Sequence, residues 1–133
     1  MRIYVATAFL DGPLLAARAA ADLAALGVDV PDHARWWEWP ESTLPPESLY
    51  MQQLRAKTLV ARAETSIARC GRILVLLTDA CGIGTGYEIA YARLAGLPVY
   101  WLNCGRTKEI PPVLAAYCVQ IGTLTELAQG REE

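Results

Sequence analysis

Short segments in which apolar residues follow a strand-like pattern alternate along the chain with segments in which they recur about every 3.6 residues, as in a helix. Five apolar, β-rich runs indicate strands, and they lie at Arg2–Phe9, Val28–Val30, Arg72–Thr78, Pro98–Asn103 and Cys118–Ile121. Segments with helical spacing lie between and after these runs. They are at Pro13–Gly27, at Glu47–Cys70, from the glycine-rich stretch to about Ala95, at Pro112–Tyr117 and after a cap at Thr123. This alternation predicts βαβ units, a parallel sheet and right-handed crossovers.

The predicted fold class is α/β, with a doubly wound parallel sheet of five strands in the order 2-1-3-4-5. A chain of 133 residues, of which 53% are hydrophobic, is expected to form one domain over residues 1–133. Ligands of such sheets bind at the carboxyl ends of the strands, at the switch point between strands 1 and 3. That rule selects the loops at 6–12 and 78–88 and, by adjacency, the loop at 31–39.

Charge and composition exclude several classes of function. The net charge is −2 and no lysine-arginine run occurs, which argues against a nucleic-acid polymer as partner. No apolar run approaches the ~20 residues of a membrane span, and the first residues lack a secretory layout, so a cytoplasmic protein is expected. The four cysteines match no metal or redox spacing, and Cys70, Cys104 and Cys118 are expected to be buried free thiols.

Glu88 follows a glycine-rich turn and has two interpretations. Thr85 and Glu88 fit the capping box T-x-x-E, in which the glutamate only fastens the start of a helix. However, Gly82, Gly84 and Gly86 alternate before it at a predicted ligand-binding edge, and such spacing allows the backbone to approach a ligand. A glutamate in the first helical turn would also be kept ionised by the helix dipole, as a nucleophile requires.

A phosphate-binding loop is the competing interpretation of the same turn. Glycine-rich turns at helix starts bind phosphate through backbone N–H groups. The segment 82–86 fits neither G-x-x-x-x-G-K-[ST] nor G-x-G-x-x-G, and a carboxylate in the first turn would repel a phosphate. The sequence therefore disfavours a pyrophosphate site here.

Glu64 lies in the long helix among apolar residues. The residues that share its predicted apolar face are Val60, Ala61, Ile67 and Ala68. It either sits at the edge of that face, paired with an arginine or reaching water, or it points into a pocket where desolvation raises its pKa. Two carboxylates in different environments suggest glycosidic chemistry.

The stretch "GIGTGYEIAYARLAGLPVYWL" at 82–102 resembles the signature of the nucleoside 2-deoxyribosyltransferase superfamily. Its G-x-G-Y-E part is similar to the 2′-deoxynucleoside 5′-phosphate N-hydrolase branch, where an aspartate precedes the nucleophilic glutamate by the same 24 residues that separate Glu64 from Glu88. Asp32 and His33 loosely resemble an acidic-His pair of that branch. The resemblance implies a flavodoxin-like fold.

The resemblance also implies an activity and roles for residues. Glu88 would be the nucleophile that forms a glycosyl-enzyme intermediate, and Glu64 would be the second acid near the nucleobase and sugar. Tyr4, Ala6 and Thr7 would line the floor of the site. Enzymes of this family cleave the N-glycosidic bond of (deoxy)nucleosides or their monophosphates and pass the sugar to water or another base. They use no metal or cofactor, and many complete the site across a subunit interface, so a homodimer or larger homo-oligomer is expected.

Recognition of the 5′ group departs from the family pattern. Gly82 occupies the position where the transferases carry an aspartate and the monophosphate hydrolases a serine. The loop after strand 1 also lacks the arginine and serine that the monophosphate branch uses on phosphate. Arg106 and Lys108 either supply cations or form a solvated loop. Nucleoside, monophosphate and dinucleotide substrates therefore all stay open.

Aromatic residues near the predicted cleft have two interpretations each. Trp36 and Trp37 either stack on a nucleobase or pack the loop or a dimer interface. His33 is either a base or a hydrogen-bonded loop residue, and Tyr87 either contacts substrate or packs. The leading hypothesis is an N-glycosidase or deoxyribosyltransferase-like enzyme of nucleotide metabolism. The alternatives are a non-catalytic nucleotide-sensing domain on the same fold and an N-glycosidase that acts on NAD-like dinucleotides.

Overall fold

The computed structural model describes residues 1–7, 12–31, 49–79, 81–105 and 107–129. These residues contain a four-stranded sheet in the order β1-β2-β3-β4, and all neighbouring strands are parallel. The strands are β1 (Ile3–Ala6), β2 (Arg72–Leu77), β3 (Val99–Asn103) and β4 (Val119–Gln120). The predicted parallel α/β architecture is confirmed, and it is consistent with a flavodoxin-like fold.

Five helices connect and cover these strands in the described part of the chain. They are α1 (Gly12–Ala25), α2 (Leu49–Ala68), α3 (Ile83–Leu94), α4 (Pro112–Tyr117) and α5 (Leu124–Ala128). Helix α1 contacts α5, and α2 contacts α3. Every residue of β1 is buried, and so is every residue of β2 after Arg72, as expected for parallel strands covered on both faces. Gly27 and Gly96, with φ of 83° and 77°, follow the carboxyl ends of α1 and α3.

The predicted count of five strands is wrong for the described residues. The run Val28–Val30 forms one isolated parallel bridge, between Asp29 and Arg2, instead of a strand. Its backbone still pairs beside β1, since Ile3 N donates to Asp29 O at 2.9 Å. The run has three residues and stops at Pro31, which has no N–H to donate, so it is too short for a regular ladder.

Helix α3 begins before the predicted capping box. Its N-cap is Gly82, without a side-chain cap, and the N–H of Gly86 donates to Gly82 O at 3.0 Å. Thr85 is therefore a buried residue inside the first turn, and Glu88 lies in the second turn. The interpretation of Thr85 and Glu88 as a capping box is wrong, because the helix starts about one turn earlier than such a box requires.

The cysteines are free, as expected, but they are not all buried. Cys70 is buried, Cys118 is partly buried and Cys104 is exposed. Cys104 lies in the turn that follows β3, beyond the covered part of the strand. No helix in the described ranges is long and apolar enough to cross a membrane.

Candidate functional site

Tyr4 and Glu88 form a hydrogen-bonded pair between the sheet and α3. Tyr4 comes from β1 and is 3% exposed, and its hydroxyl donates to Oε2 of the partly buried Glu88. The two residues are far apart in sequence, and the parallel pairing of β1 with β2 brings β1 beside the strand that leads into α3. The structure thus places the predicted nucleophile against a residue of the predicted floor.

Burial governs the protonation of this pair. Desolvation raises the pKa of Glu88 to about 7, although the hydrogen bond from Tyr4 acts in the opposite direction. Burial and the negative charge of Glu88 also raise the pKa of Tyr4 far above its ordinary value, so its phenol stays protonated. The helix dipole was expected to keep Glu88 ionised, but burial outweighs it. Glu88 lies beyond the first turn of α3, where the field of the dipole is weak.

Glu64 and Tyr87 form a second pair, between α2 and α3. The Tyr87 hydroxyl donates to Oε2 of Glu64, and this bond is the largest cause that raises the pKa of Tyr87. Tyr87 directly precedes Glu88 in the chain. The two predicted acids therefore meet neighbouring positions of α3, because Glu88 is a residue of this helix and Glu64 is bonded to the adjacent Tyr87.

The predicted apolar surroundings of Glu64 are only partly present. Ile67 is fully buried, but Val60 is 44% exposed, and Ala61 and Ala68 are exposed as well. Glu64 itself is partly buried. It lies at the edge of the buried surface of α2, where its carboxylate accepts the hydrogen bond from the Tyr87 phenol.

The other predicted floor residues lie at the carboxyl end of β1. Ala6 is 1% exposed and Thr7 is 7% exposed, and the Thr7 hydroxyl donates to Leu76 O at 3.2 Å. The thiol of Cys81 donates to the same carbonyl oxygen at 3.5 Å. These bonds join the ends of β1 and β2, and Cys81 lies two residues before α3 begins.

A second set of hydrogen bonds joins the ends of β2 and β3. The Thr107 hydroxyl donates to Asp79 Oδ1 at 2.9 Å, and the Asn103 side chain both donates to and accepts from the Thr107 backbone at 2.9 Å. Asp79, which follows β2, and Asn103, at the end of β3, are thus joined through Thr107. Asn103 could have been recognised from its place at the end of an apolar strand, but Thr107 gives no signal in the sequence.

The three glycines before Glu88 leave open space. A Cβ atom at Gly82, Gly84 or Gly86 would meet no atom within 4 Å in the described structure, and none of the three has a positive φ. Gly84 and Gly86 lie inside α3, where alanine is more favourable than glycine by ~1 kcal/mol. The fold of the described residues therefore does not explain these glycines.

Several predicted residues fall outside the described ranges, namely His33, Trp36, Trp37 and Arg106. Lys108 is described and is exposed. Within the described ranges, no group of three or more His, Cys, Asp or Glu side chains could hold a metal ion.

Comparisons with known proteins identify a structural likeness. One solved structure that the chain resembles is a 2-deoxyribosyltransferase from the psychrotolerant bacterium Bacillus psychrosaccharolyticus, described as a biocatalyst for the synthesis of antiviral and antitumoral nucleosides. The alignment has 17% sequence identity and a TM-score of 0.64, and it covers 98% of this chain and 93% of that chain. No protein-family model and no curated protein matches the sequence. At this identity the likeness establishes a shared α/β fold.

Proposed function

We propose that this protein cleaves the N-glycosidic bond of a (deoxy)nucleoside or nucleoside 5′-monophosphate, with Glu88 as the nucleophile. The observation that carries the proposal is the hydrogen bond from the buried phenol of Tyr4, in β1, to the partly buried carboxylate of Glu88, on the helix that follows β2. Helix α3 begins after the carboxyl end of β2, and open α/β sheets bind their ligands at that edge. The likeness to a 2-deoxyribosyltransferase over nearly the whole chain supports a nucleoside as the ligand.

The reaction follows from what each group can do. Ionised Glu88 attacks C1′ of the sugar, the C1′–N bond breaks, and its electron pair leaves with the base, which takes a proton from solvent. Water or a second base then attacks C1′ and gives up a proton to solvent, the Glu88–C1′ bond breaks, and the carboxylate is regenerated. Tyr4 positions the carboxylate throughout, because its phenol stays protonated and donates its O–H to the carboxylate.

The finer parts of the proposal concern substrate and assembly. Gly82 offers no side chain to a 5′ group, and a side chain there would meet open space, so a nucleoside, a monophosphate or an NAD-like dinucleotide is compatible with this position. The 5′-phosphate N-hydrolase branch, a homodimeric assembly and a cytoplasmic location stay predictions from the sequence. The non-catalytic sensing domain is the competing function that the experiment below separates.

The experiment is a substrate panel. Purified protein is incubated with deoxyribonucleosides, ribonucleosides, their 5′-monophosphates and NAD, and the released base is quantified by chromatography. We expect release from at least one compound, and Glu88→Ala should reduce it by about 10³-fold or more, since removal of a covalent nucleophile typically costs this much or more.

The matched control is Glu109→Ala, which removes an exposed glutamate from the loop before α4 and should leave release unchanged. Retained release in Glu88→Ala would refute the nucleophile assignment. Thermal stabilisation by a panel compound without release of any base would instead establish the sensing domain.

A further inference from the structure

Two cysteines lie at the carboxyl ends of neighbouring strands. Cys81 lies between β2 and α3, and Cys104 directly follows β3. Both are free thiols, and the proposed reaction uses neither of them. Because β2 and β3 are parallel and paired, their carboxyl ends lie side by side, and the segments that carry the two cysteines begin there.

Backbone contacts place Cys104 beside the end of β2. Its N–H donates to Leu77 O at 3.0 Å, just beyond the paired part of the two strands. The next residue, Gly105, donates to the same oxygen at 2.9 Å, and a Cβ on it would lie 3.0 Å from Thr78 Cα. The backbone around Cys104 therefore lies against Leu77 and Thr78.

The thiol of Cys81 lies against the same end of β2. Its Sγ donates to Leu76 O at 3.5 Å and lies 3.8 Å from Thr78 Oγ1. The N–H of Cys81 also donates to Thr78 O at 3.2 Å, which closes a tight turn over 78–81. Both cysteines are therefore held close to Thr78, one by its side chain and one by its backbone.

The two thiols also interact electrostatically. Burial raises the pKa of the Cys104 thiol, and the negative charge of an ionised Cys81 raises it further. Such a charge effect decreases with distance, so it agrees with the short separation that the backbone contacts indicate. A bond between the two sulfurs removes both charges, and with them this repulsion.

The pair is open to reagents at one of its members. Cys104 is exposed and Cys81 is partly buried. A dissolved reagent therefore reaches Cys104 first, and Cys81 is the neighbouring thiol. Of the other two cysteines, Cys70 is buried, whereas Cys118 is partly buried like Cys81 and donates to Val113 O at 3.8 Å. Cys118 is therefore a suitable thiol for comparison.

We propose that Cys81 and Cys104 form a reversible thiol–disulfide site that reacts with low-molecular-weight disulfides. The Cys104 thiolate attacks one sulfur of such a disulfide, the S–S bond breaks, and one thiol leaves with the proton of Cys104. The Cys81 thiolate then attacks Sγ of Cys104, a second thiol leaves with the proton of Cys81, and the Cys81–Cys104 bond forms. Two protein thiols are oxidised, and one disulfide is reduced to two thiols.

The test is disulfide mapping of the full chain. Reduced protein is incubated with glutathione disulfide, the remaining thiols are blocked with N-ethylmaleimide, and tryptic peptides are analysed by mass spectrometry without reduction. Cleavage after arginine and lysine places the four cysteines on separate peptides, at 70–72, 73–93, 94–106 and 109–131. We expect peptides 73–93 and 94–106 to be linked in more than half of the molecules, and dithiothreitol should remove the link.

Serine variants identify the partners. Cys81→Ser and Cys104→Ser should each abolish the link, and Cys81→Ser should leave Cys104 as a mixed disulfide with glutathione. Cys118→Ser is the matched control, since it removes another partly buried thiol and should leave the link unchanged. The map of the wild-type protein decides the inference by itself if a variant fails to fold.

The outcomes separate this inference from the proposed function. A link that joins other cysteines, a mixed disulfide at Cys104 that Cys81 does not displace, or an absence of oxidation in the wild-type protein overturns the inference. So does a link between 73–93 and 94–106 that forms to less than a tenth of the molecules. The map does not measure base release, so the inference goes beyond the proposed function and stands or fails without it.

Discussion

At the scale of single residues, the partial burial of Glu88 disfavours the ionised form of its carboxylate. Its surroundings raise its pKa to about 7, and the bond from Tyr4 limits this rise. A nucleophile needs the ionised form, which is also the form that burial disfavours. Tyr4 is therefore the residue that keeps this partly buried carboxylate available for the proposed reaction near neutral pH.

The pH dependence of activity follows from this balance. In the proposed reaction only ionised Glu88 attacks, so kcat/KM should increase with pH through about 7 and level off above it. Tyr4→Phe removes the contact that lowers this pKa, so the acidic limb should move to higher pH, by about one unit. Base release measured from pH 5 to 9 tests both expectations.

Tyr117→Phe is a suitable control for that profile, because Tyr117 is exposed on α4 and contacts Arg93. Its profile should coincide with that of the wild type. An acidic limb near the ordinary glutamate pKa of ~4.3 would contradict the effect of burial on Glu88, and an unchanged limb in Tyr4→Phe would contradict the assigned role of Tyr4.

The sequence was sufficient to name Glu88, Glu64 and Tyr4, but not to pair them. Glu88 stands out after three alternating glycines, whereas Tyr4 is named only because the family resemblance implies a place for it in the site. Which phenol reaches which carboxylate depends on the register of β1 beside β2 and on the contact of α2 with α3. Such tertiary distances have no counterpart in local spacing.

At the scale of elements, α3 shows why helix starts are hard to locate from sequence. Thr85 and Glu88 match a capping box, and glycines are poor helix formers, so a start at Thr85 is the better local choice. The buried side chains of Ile89 and Ala92 dock the helix, and the helix continues backwards through the glycines to Gly82. Tertiary contacts override local propensity here.

Two glycines offer a direct test of which positions the fold requires. Gly86→Ala should increase the free energy of unfolding by ~0.5–1 kcal/mol, because a Cβ meets open space inside a helix, and it should raise KM if the backbone there approaches substrate. Gly105→Ala should decrease the free energy of unfolding by ~1–3 kcal/mol, because its Cβ would lie 3.0 Å from Thr78 Cα. Urea unfolding and steady-state kinetics measure both.

These two variants serve as controls for each other, since each adds one methyl group. Equal loss of stability in both would contradict the open space at Gly86. Stabilisation of Gly86→Ala without any change in KM would remove the argument that this glycine serves the ligand.

At the scale of the whole molecule, stability depends on the doubly covered sheet. Every residue of the inner strand β2 from Ile73 to Leu77 is buried, so side chains on both faces of the sheet belong to the core. Leu74→Ala should therefore lower the free energy of unfolding by ~3–5 kcal/mol, since the surrounding side chains cannot close the cavity. Denaturant unfolding followed by circular dichroism measures the change.

The matched variant is Leu94→Ala at the end of α3, where the side chain is 90% exposed. Its effect should stay within about 0.5 kcal/mol of zero. A large loss at Leu94 would mean that this leucine is covered in solution, for instance by a second copy of the chain.

The overall architecture was largely predictable, because apolar runs of strand length alternate with helical segments throughout. Four of the five predicted strands and the sites of the five predicted helices agree with the structure in the described ranges. The run Val28–Val30 did not form the predicted strand, because three residues are enough to be buried but too few for a regular series of inter-strand hydrogen bonds. Its buried valines explain why the pattern looked like a strand.

The adjacency of Tyr87 and Glu88 has a consequence for how such a protein can diversify. Consecutive residues of one helix carry the proposed nucleophile, Glu88, and the phenol that is bonded to Glu64. Insertions or substitutions in the connecting loops leave the spacing of these two residues untouched. Under the proposed function, selection can therefore exchange the loops that would recognise a ligand while Tyr87 and Glu88 keep their relative placement.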